Sequence, residues 1–303
     1  MLEYVLIVAG LSLFEVISSI DNAIINSEVL STMSARSRRW FLFWGILIAV
    51  FVVRGLLPIA ILWSSNPTLG FIDVLDATFT SNPEILRAVE ESAPVLLIGG
   101  GIFLIFLFFN WLFLEPKHYG LRGEATIQKH GVWFYAIVSI LLAVAVWFTL
   151  RVNPTMAFGA VVGSTGFFIT HGFKENAAQM ERRMLTGATS MSDISRLLYL
   201  EVIDTTFSID GVLGAFAFTL SVPLILIGNG VGAIVVRQLT VKNIENVKKY
   251  RYLKNGAMYS ILVLGLVMVL ESFKVEVPSW VSPIATFLII AYFFYKSRQE
   301  NAK

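Results

Sequence analysis

Nine segments of this chain are apolar over the roughly 20 residues that a helix needs to cross a bilayer. They lie at 3–30, 40–63, 94–114, 132–150, 155–173, 197–218, 222–241, 255–272 and 279–296. Hydrocarbon offers the backbone no hydrogen-bond partner, so apolar runs of this length must be helical. Only 15% of residues are charged, against about 25% in a soluble domain. The expectation is an all-α, polytopic membrane protein of about nine transmembrane helices, with 1–303 forming one transmembrane domain. The fifth segment is the weakest, because Gly159, Gly163, Ser164, Gly166 and His171 interrupt it. It reads as a span, or as a re-entrant or buried helix. The first apolar run has no basic start before it and reads as a retained span.

Loop charges give an orientation. Arg36, Arg38 and Arg39 follow the first span, and Lys117, Arg122 and Lys129 the third. Lys174, Arg182, Arg183 and Arg196 follow the fifth, and Lys242, Lys248, Lys249, Arg251 and Lys254 the seventh. Loops of the other parity hold only Arg87, Arg151 and Lys274. Basic residues collect on the cytoplasmic side, which puts the N-terminus outside a cell membrane and the C-terminus inside. The acidic outer loop over 64–93 reads as solvated, or as a vestibule attracting cations.

Carboxylates lie within two of the apolar segments. The first segment contains Glu15 and Ser19-Ile20-Asp21-Asn22; the sixth contains Glu201, Asp204 and Ser208-Ile209-Asp210-Gly211. Aligning Ser19-Ile20-Asp21 with Ser208-Ile209-Asp210 places Glu15 on Asp204. Val52-Val53-Arg54-Gly55-Leu56 likewise resembles Val235-Val236-Arg237-Gln238-Leu239, and Gly100 and Glu115 match Gly256 and Glu271. Three anchors in one order argue for two inverted three-helix repeats, about 1–115 and 195–272. The intervening helices occupy 116–194, and a final helix lies in 273–303. Inverted repeats with a polar site between them are a transporter arrangement.

An ionised carboxylate inside a bilayer must be paired, hydrated or bound to a cation. Glu15, Asp21, Asp204 and Asp210 form the candidate metal-ligand set, with Glu201, Asn22, Ser19 and Ser208 as neighbours or further ligands. The six-residue spacing of each acid pair does not fit one face of an ideal helix, so breaks are expected near Ser18–Asn22 and Phe207–Gly211. An all-oxygen set suits hard divalent ions. Arg54, deep in the second span, needs an acidic partner, and Arg237 is placed to pair with an acid or to snorkel. Two arginines cannot neutralise five acids, and the surplus points to a cation or shared protons. The chain has no cysteine and three histidines. Thiolate chemistry and histidine-rich zinc sites are excluded, and no organic cofactor or enzymatic signature appears.

These motifs resemble the TerC family of tellurium-resistance-type integral membrane proteins, in the LysE transporter superfamily. The resemblance lies in Glu15 with Ser19-Ile20-Asp21-Asn22, in Glu201-Val202-Ile203-Asp204-Thr205-Thr206-Phe207-Ser208-Ile209-Asp210, and in Tyr250-Arg251-Tyr252-Leu253-Lys254-Asn255-Gly256. Ser19 and Gly211 look most like an uncharacterised branch, a domain of unknown function. The resemblance implies metal-ion transport, with manganese efflux foremost and the named acids as ligands. Calcium and magnesium also fit the site, and protons fit as coupling ion. Implied partners are the lipid bilayer and the ions, with a homo-oligomer compatible and no nucleic acid. The alternatives are LysE-like export of a small organic solute and a non-transporting membrane partner in metal homeostasis.

Overall fold

The structure, a computed structural model, describes residues 1–45, 48, 54–65, 70–72, 74–75, 83–117, 120–186, 191–242 and 249–301. Within these, the side chains of Asp21, Ile25, Leu42, Leu62, Ser65, residues 83–89, Phe207, residues 240–242 and Asn301 lie outside the description. Among the described residues the regular elements are all helical. In order they are α1 Leu2–Ser18, α2 Ile20–Ser31, α3 Ala35–Trp40, a π-helical turn Phe41–Gly45, α4 Arg54–Ser65, α5 Pro83–Leu114 and α6 Glu124–Gln128. There follow α7 Trp133–Val152, α8 Pro154–Leu185, α9 Asp193–Ala215, α10 Val222–Lys242, α11 Leu253–Ser272 and α12 Val281–Asn301.

The apolar content of each helix decides its depth. α5 is central: 72% of its most apolar stretch is buried, against 17% for α7 at the periphery. α5 lies along α8 and α11, α1 lies along α10, and α12 packs on α11 and α1. Ile98, Phe103, Leu104 and Phe106 of α5 meet Leu264 and Met268 of α11 in the main core. Trp147, Phe148, Phe158, Phe168, Leu288 and Tyr292 are exposed on the outer helices, where a bilayer would cover them. Helix ends carry local caps. The Asn153 side chain accepts from the Thr155 amide ahead of α8, with Pro154 in the first turn. Ser192 caps α9 in the same way. Asp193 accepts from the Ser34 amide at 3.1 Å and the Ser37 hydroxyl at 2.9 Å, tying the start of α9 to that of α3. Those hydrogen bonds hold its pKa below the ordinary carboxylate value.

Among the described residues, five helices are long and apolar enough to cross a membrane, and six with α1 and α2 as one bent span. The difference from nine has physical causes. α9 carries Glu201, Asp204 and Asp210 along its middle, and α12 runs into the polar stretch from Lys296 to Asn301. Part of the expected second span, 46–47 and 49–53, lies outside the described residues. The fifth segment is not interrupted at its glycines. It is a 32-residue helix that continues through Lys174 to Leu185, so Lys174 is a helical residue and not a loop charge. In the 64–93 loop, Asp73 and Asp76 and the Glu84 side chain lie outside the described residues.

The glycines that made the fifth segment look weak have a packing role. A Cβ on Gly163 would overlap the Gly99 carbonyl, and one on Gly159 would lie 2.6 Å from the Val95 carbonyl oxygen. α5 and α8 therefore touch backbone to backbone, as helices with small interfacial residues do. Gly163→Val should force them apart at a cost of roughly 1–3 kcal/mol, read as a lower unfolding temperature in detergent. Gly172→Val, at a position with open space around its Cβ, should leave that temperature near the parent's. Equal effects of the two would contradict the close-packing account.

Candidate functional site

The site begins where α1 breaks. Ser18 ends the helix, Ser19 sits at φ −92° and ψ 0°, and α2 starts at Ile20. The helical path turns by 57° there. Serines stabilise such a break because their hydroxyls bond locally: Ser18 Oγ donates to the Glu15 carbonyl at 3.3 Å, and Ser19 Oγ to Glu15 Oε1 at 2.9 Å. The sequence placed this break correctly. It did not do so for α9, which runs unbroken through Phe207–Gly211. There the Ser208 hydroxyl returns to the Asp204 carbonyl at 2.7 Å, an ordinary bond inside a helix.

Glu15 is 1% exposed and Arg54 3%. Arg54 Nε donates to Glu15 Oε1 at 3.2 Å, and Nη2 pairs with the same oxygen. The expected acidic partner of Arg54 is thus Glu15. Two glycines make room for it. A Cβ on Gly211 of α9 would lie 2.7 Å from Glu15 Oε2, and one on Gly232 of α10 would lie 2.6 Å from Glu15 Cβ. Glu15 therefore occupies a slot between α9 and α10, which brings the two acidic segments into contact.

The second cluster lies on α9. Arg237 Nη2 reaches both Glu201 oxygens at 3.3 Å and Asp204 Oδ2 at 3.1 Å. It also donates to the Gly45 carbonyl at 3.4 Å, and the guanidinium sits 3.9 Å over the Phe41 ring. Arg237 is buried and paired, so it does not snorkel. Asn22 Nδ2 donates to Asp204 Oδ1 and bridges α2 to α9. Asp204 and Glu201 also lie within electrostatic reach of Arg54. Glu15, Ser19, Asn22, Arg54, Glu201, Asp204 and Arg237 therefore form one polar cluster.

Asp210 stands apart. On an unbroken helix it lies about 9 Å beyond Asp204 along the axis. It pairs with Lys174 of α8, and its Oδ1 is buried without a hydrogen-bond partner among the described residues. Ser208 faces its own backbone instead of the acids. The Asp21 side chain lies outside the described residues. Among the described residues, no three acidic or histidine side chains converge as a ready metal-binding group. The arginines and Lys174 hold the acids instead. Among the described residues, three acids of the cluster (Glu15, Glu201, Asp204) share two bases (Arg54, Arg237), an excess of one negative charge. Among the described residues, Asn22 Oδ1 and Asn26 Oδ1 are buried acceptors without hydrogen-bond partners.

Sequence reasoning missed Lys174, Gly45, Gly232 and Phe41. The first had a signal: Thr170 and Lys174 are four residues apart, one helical turn, so a helix extended past Gly172 would have carried the lysine inward.

If the glycine slot places Glu15, filling it should disturb the Glu15–Arg54 pair. Gly211→Val should lower stability by roughly 1–3 kcal/mol, and Gly211→Ala by less. Unfolding in detergent measures both, and an unchanged Gly211→Val midpoint would contradict the slot.

Comparison with known proteins agrees with the membrane character. Over 135 residues the chain is 27% identical to the uncharacterized membrane protein YceF of Bacillus subtilis (strain 168), covering 44% of this chain and 50% of that protein. The chain thus spans about half the length of the curated relative it matches. No solved structure matches. The family described as "Protein of unknown function (DUF475)" matches residues 20–303, which fits the expected uncharacterised branch. The chain, a membrane protein with several apolar helices, belongs to the DUF475 family.

Proposed function

We propose that the protein moves a divalent cation across the cell membrane, manganese foremost, in exchange for protons. The acids around Glu15 and Asp204 serve as the ion's resting place. The carrying observation is that buried acids from two distant segments meet in one cluster with too few bases to neutralise them. Ionised, the cluster attracts a cation, and protonated it releases one. Hard oxygen donors without sulfur favour manganese, magnesium or calcium. Asp21, Asp204 and Glu15 would supply the anionic ligands, with Asn22 adding a neutral oxygen.

The inverted-repeat reading belongs to the same proposal and draws support from matched contacts. Glu15 pairs with Arg54, and Asp204 with Arg237, at positions that correspond in the two repeats. Gly45 and Gly228 each stand nine positions before their arginine, and Ser12 and Glu201 each stand three before their acid. Ser12 Oγ donates to the Gly228 carbonyl at 2.9 Å. At the corresponding place Glu201 packs against Gly45. The same exchange of helices between halves recurs in both units, as a two-fold relation requires. Loop charges favour an outside N-terminus.

The test is manganese accumulation in cells that lack their own exporters and carry each variant at matched membrane levels. Asp21→Asn and Asp204→Asn should each cut efflux by about tenfold or more, as a loss of about 1.4 kcal/mol or more in ion binding would, while the protein stays folded and inserted. Glu201→Gln should be milder, because Arg237 keeps Asp204. If both Asn variants protected cells as well as the parent, the acids would not be transport ligands. A role as a non-transporting partner would then take first place.

A further inference from the structure

A cavity of about 780 Å³ lies between α4 and α8, with α5 as its floor and α9 at its inner end. Leu96 and Phe103 of α5, both buried, line the floor, and Leu57, Ile209 and Leu213 close the inner end. The α8 wall carries Phe158, Val162 and Ile169, which are exposed on the outer surface that a bilayer would cover. The cavity therefore opens sideways into hydrocarbon. Polar side chains gather at its other end, where Ser64, Ser92, Asn153 and Thr155 lie. Trp63 is exposed beside Ser64, and Arg151 stacks over the exposed Trp147 at 4.6 Å, just before the Asn153 turn. Exposed tryptophans near helix ends mark the headgroup level of a membrane. From Thr155 to Thr170 the α8 wall runs about 22 Å, more than half of the roughly 30 Å hydrocarbon core.

We propose that this cavity binds one acyl chain of a membrane phospholipid, with the headgroup at the Ser64–Asn153 end. Three features select that occupant. Water in a protein cavity needs about two to four polar partners, and the inner walls are apolar. Thr170, the hydroxyl at that depth, already donates within its own helix, to the Gly166 carbonyl at 2.9 Å and the Phe167 carbonyl at 3.0 Å. Hydrocarbon makes dispersion contacts with such walls. The opening is also continuous with the bilayer-facing surface, so a chain enters without crossing water. Finally, the cavity is deep enough to take a chain over the whole thickness of one leaflet, with polar groups only where a headgroup would lie. Gly166 gives the cavity its width: a Cβ there would meet only the Phe103 ring, at 3.9 Å. A seated chain would space α4, which carries Arg54, from α8, which carries Lys174. The site stands whether or not the protein moves cations.

The test uses the full-length protein in liposomes that contain a phospholipid with a photoactivatable diazirine in one acyl chain. Labelled residues are mapped by mass spectrometry. The wild-type protein should be labelled inside the cavity, at Leu96, Phe103 and Leu213, as well as at Leu288, which is exposed on α12. Gly166→Leu puts a side chain into the cavity and should cut labelling of α5 and α9 severalfold, while Leu288 keeps its label. Gly172→Leu, outside the cavity and with open space around its Cβ, should change neither. Labelling confined to outward residues such as Leu288 and Phe158 would mean ordinary bilayer contact and would overturn the proposal. Cavity labelling that Gly166→Leu leaves unchanged would also overturn it. Cavity labelling by a photoactivatable fatty acid, with none by the phospholipid probe, would make the occupant a free fatty acid and overturn the phospholipid assignment. If Gly166→Leu does not fold, the wild-type protein decides through its dependence on probe content. A site saturates as the probe's share of the lipid rises, while Leu288 labelling rises in proportion. A proportional rise at both places would overturn the site.

Discussion

A buried carboxylate must find a positive charge, and much of this structure is arranged around that need. Removing a carboxylate from water costs several kcal/mol unless it is compensated. Glu15 is compensated by Arg54, Glu201 and Asp204 by Arg237, and Asp210 by Lys174. Each pair joins two helices. Glu15 joins α1 to α4, Arg237 joins α10 to α9, and Lys174 joins α8 to α9. The acids thus constrain which helices can be neighbours, and the apolar faces of α5, α8 and α11 pack around that arrangement. Pairs of this kind add little net stability, but breaking one leaves an uncompensated charge. They therefore fix the geometry more than they strengthen it.

The pairings also show why the structure holds no ready-made metal shell among its described residues. Arginine and lysine groups hold the acids, and among the described residues the cluster of Glu15, Glu201 and Asp204 with Arg54 and Arg237 remains one charge short of neutrality. Such a site is self-repelling without a cation or protons, and it rests on the internal bases. Glycine at 211, 232 and 45 lets the charged groups approach other helices closely. Larger residues there would hold the two acidic segments apart.

Much of this was legible in the sequence. The apolar runs located α5, α7, α8, α10 and α11, because span length is set by bilayer thickness. The Ser18-Ser19 break followed from acids that could not share a helix face. Burial cost alone required an acid for Arg54. Other features were not legible. The same spacing argument failed in α9, where Asp204 and Asp210 serve different partners, so no break is needed to bring them together. Lys174 was hidden by the basic residues beyond it, since a charge near the end of an apolar run looks like a loop charge until a neighbouring helix supplies its acid. The slot at Gly211 and Gly232 depends on how α9 and α10 pack against α1, which local sequence does not encode.

The central claim is that a divalent cation binds among these acids within the membrane. The most direct measurement is diffraction from crystals grown with manganese, recorded at its absorption edge. The account predicts an anomalous peak between the α1–α2 break and α9, within ligand distance of Asp21 and at least one of Glu15 and Asp204. It also predicts that Asp21→Asn abolishes the peak. Manganese found only on the protein surface, with the Glu15–Arg54 and Asp204–Arg237 pairs intact at saturating metal, would contradict it.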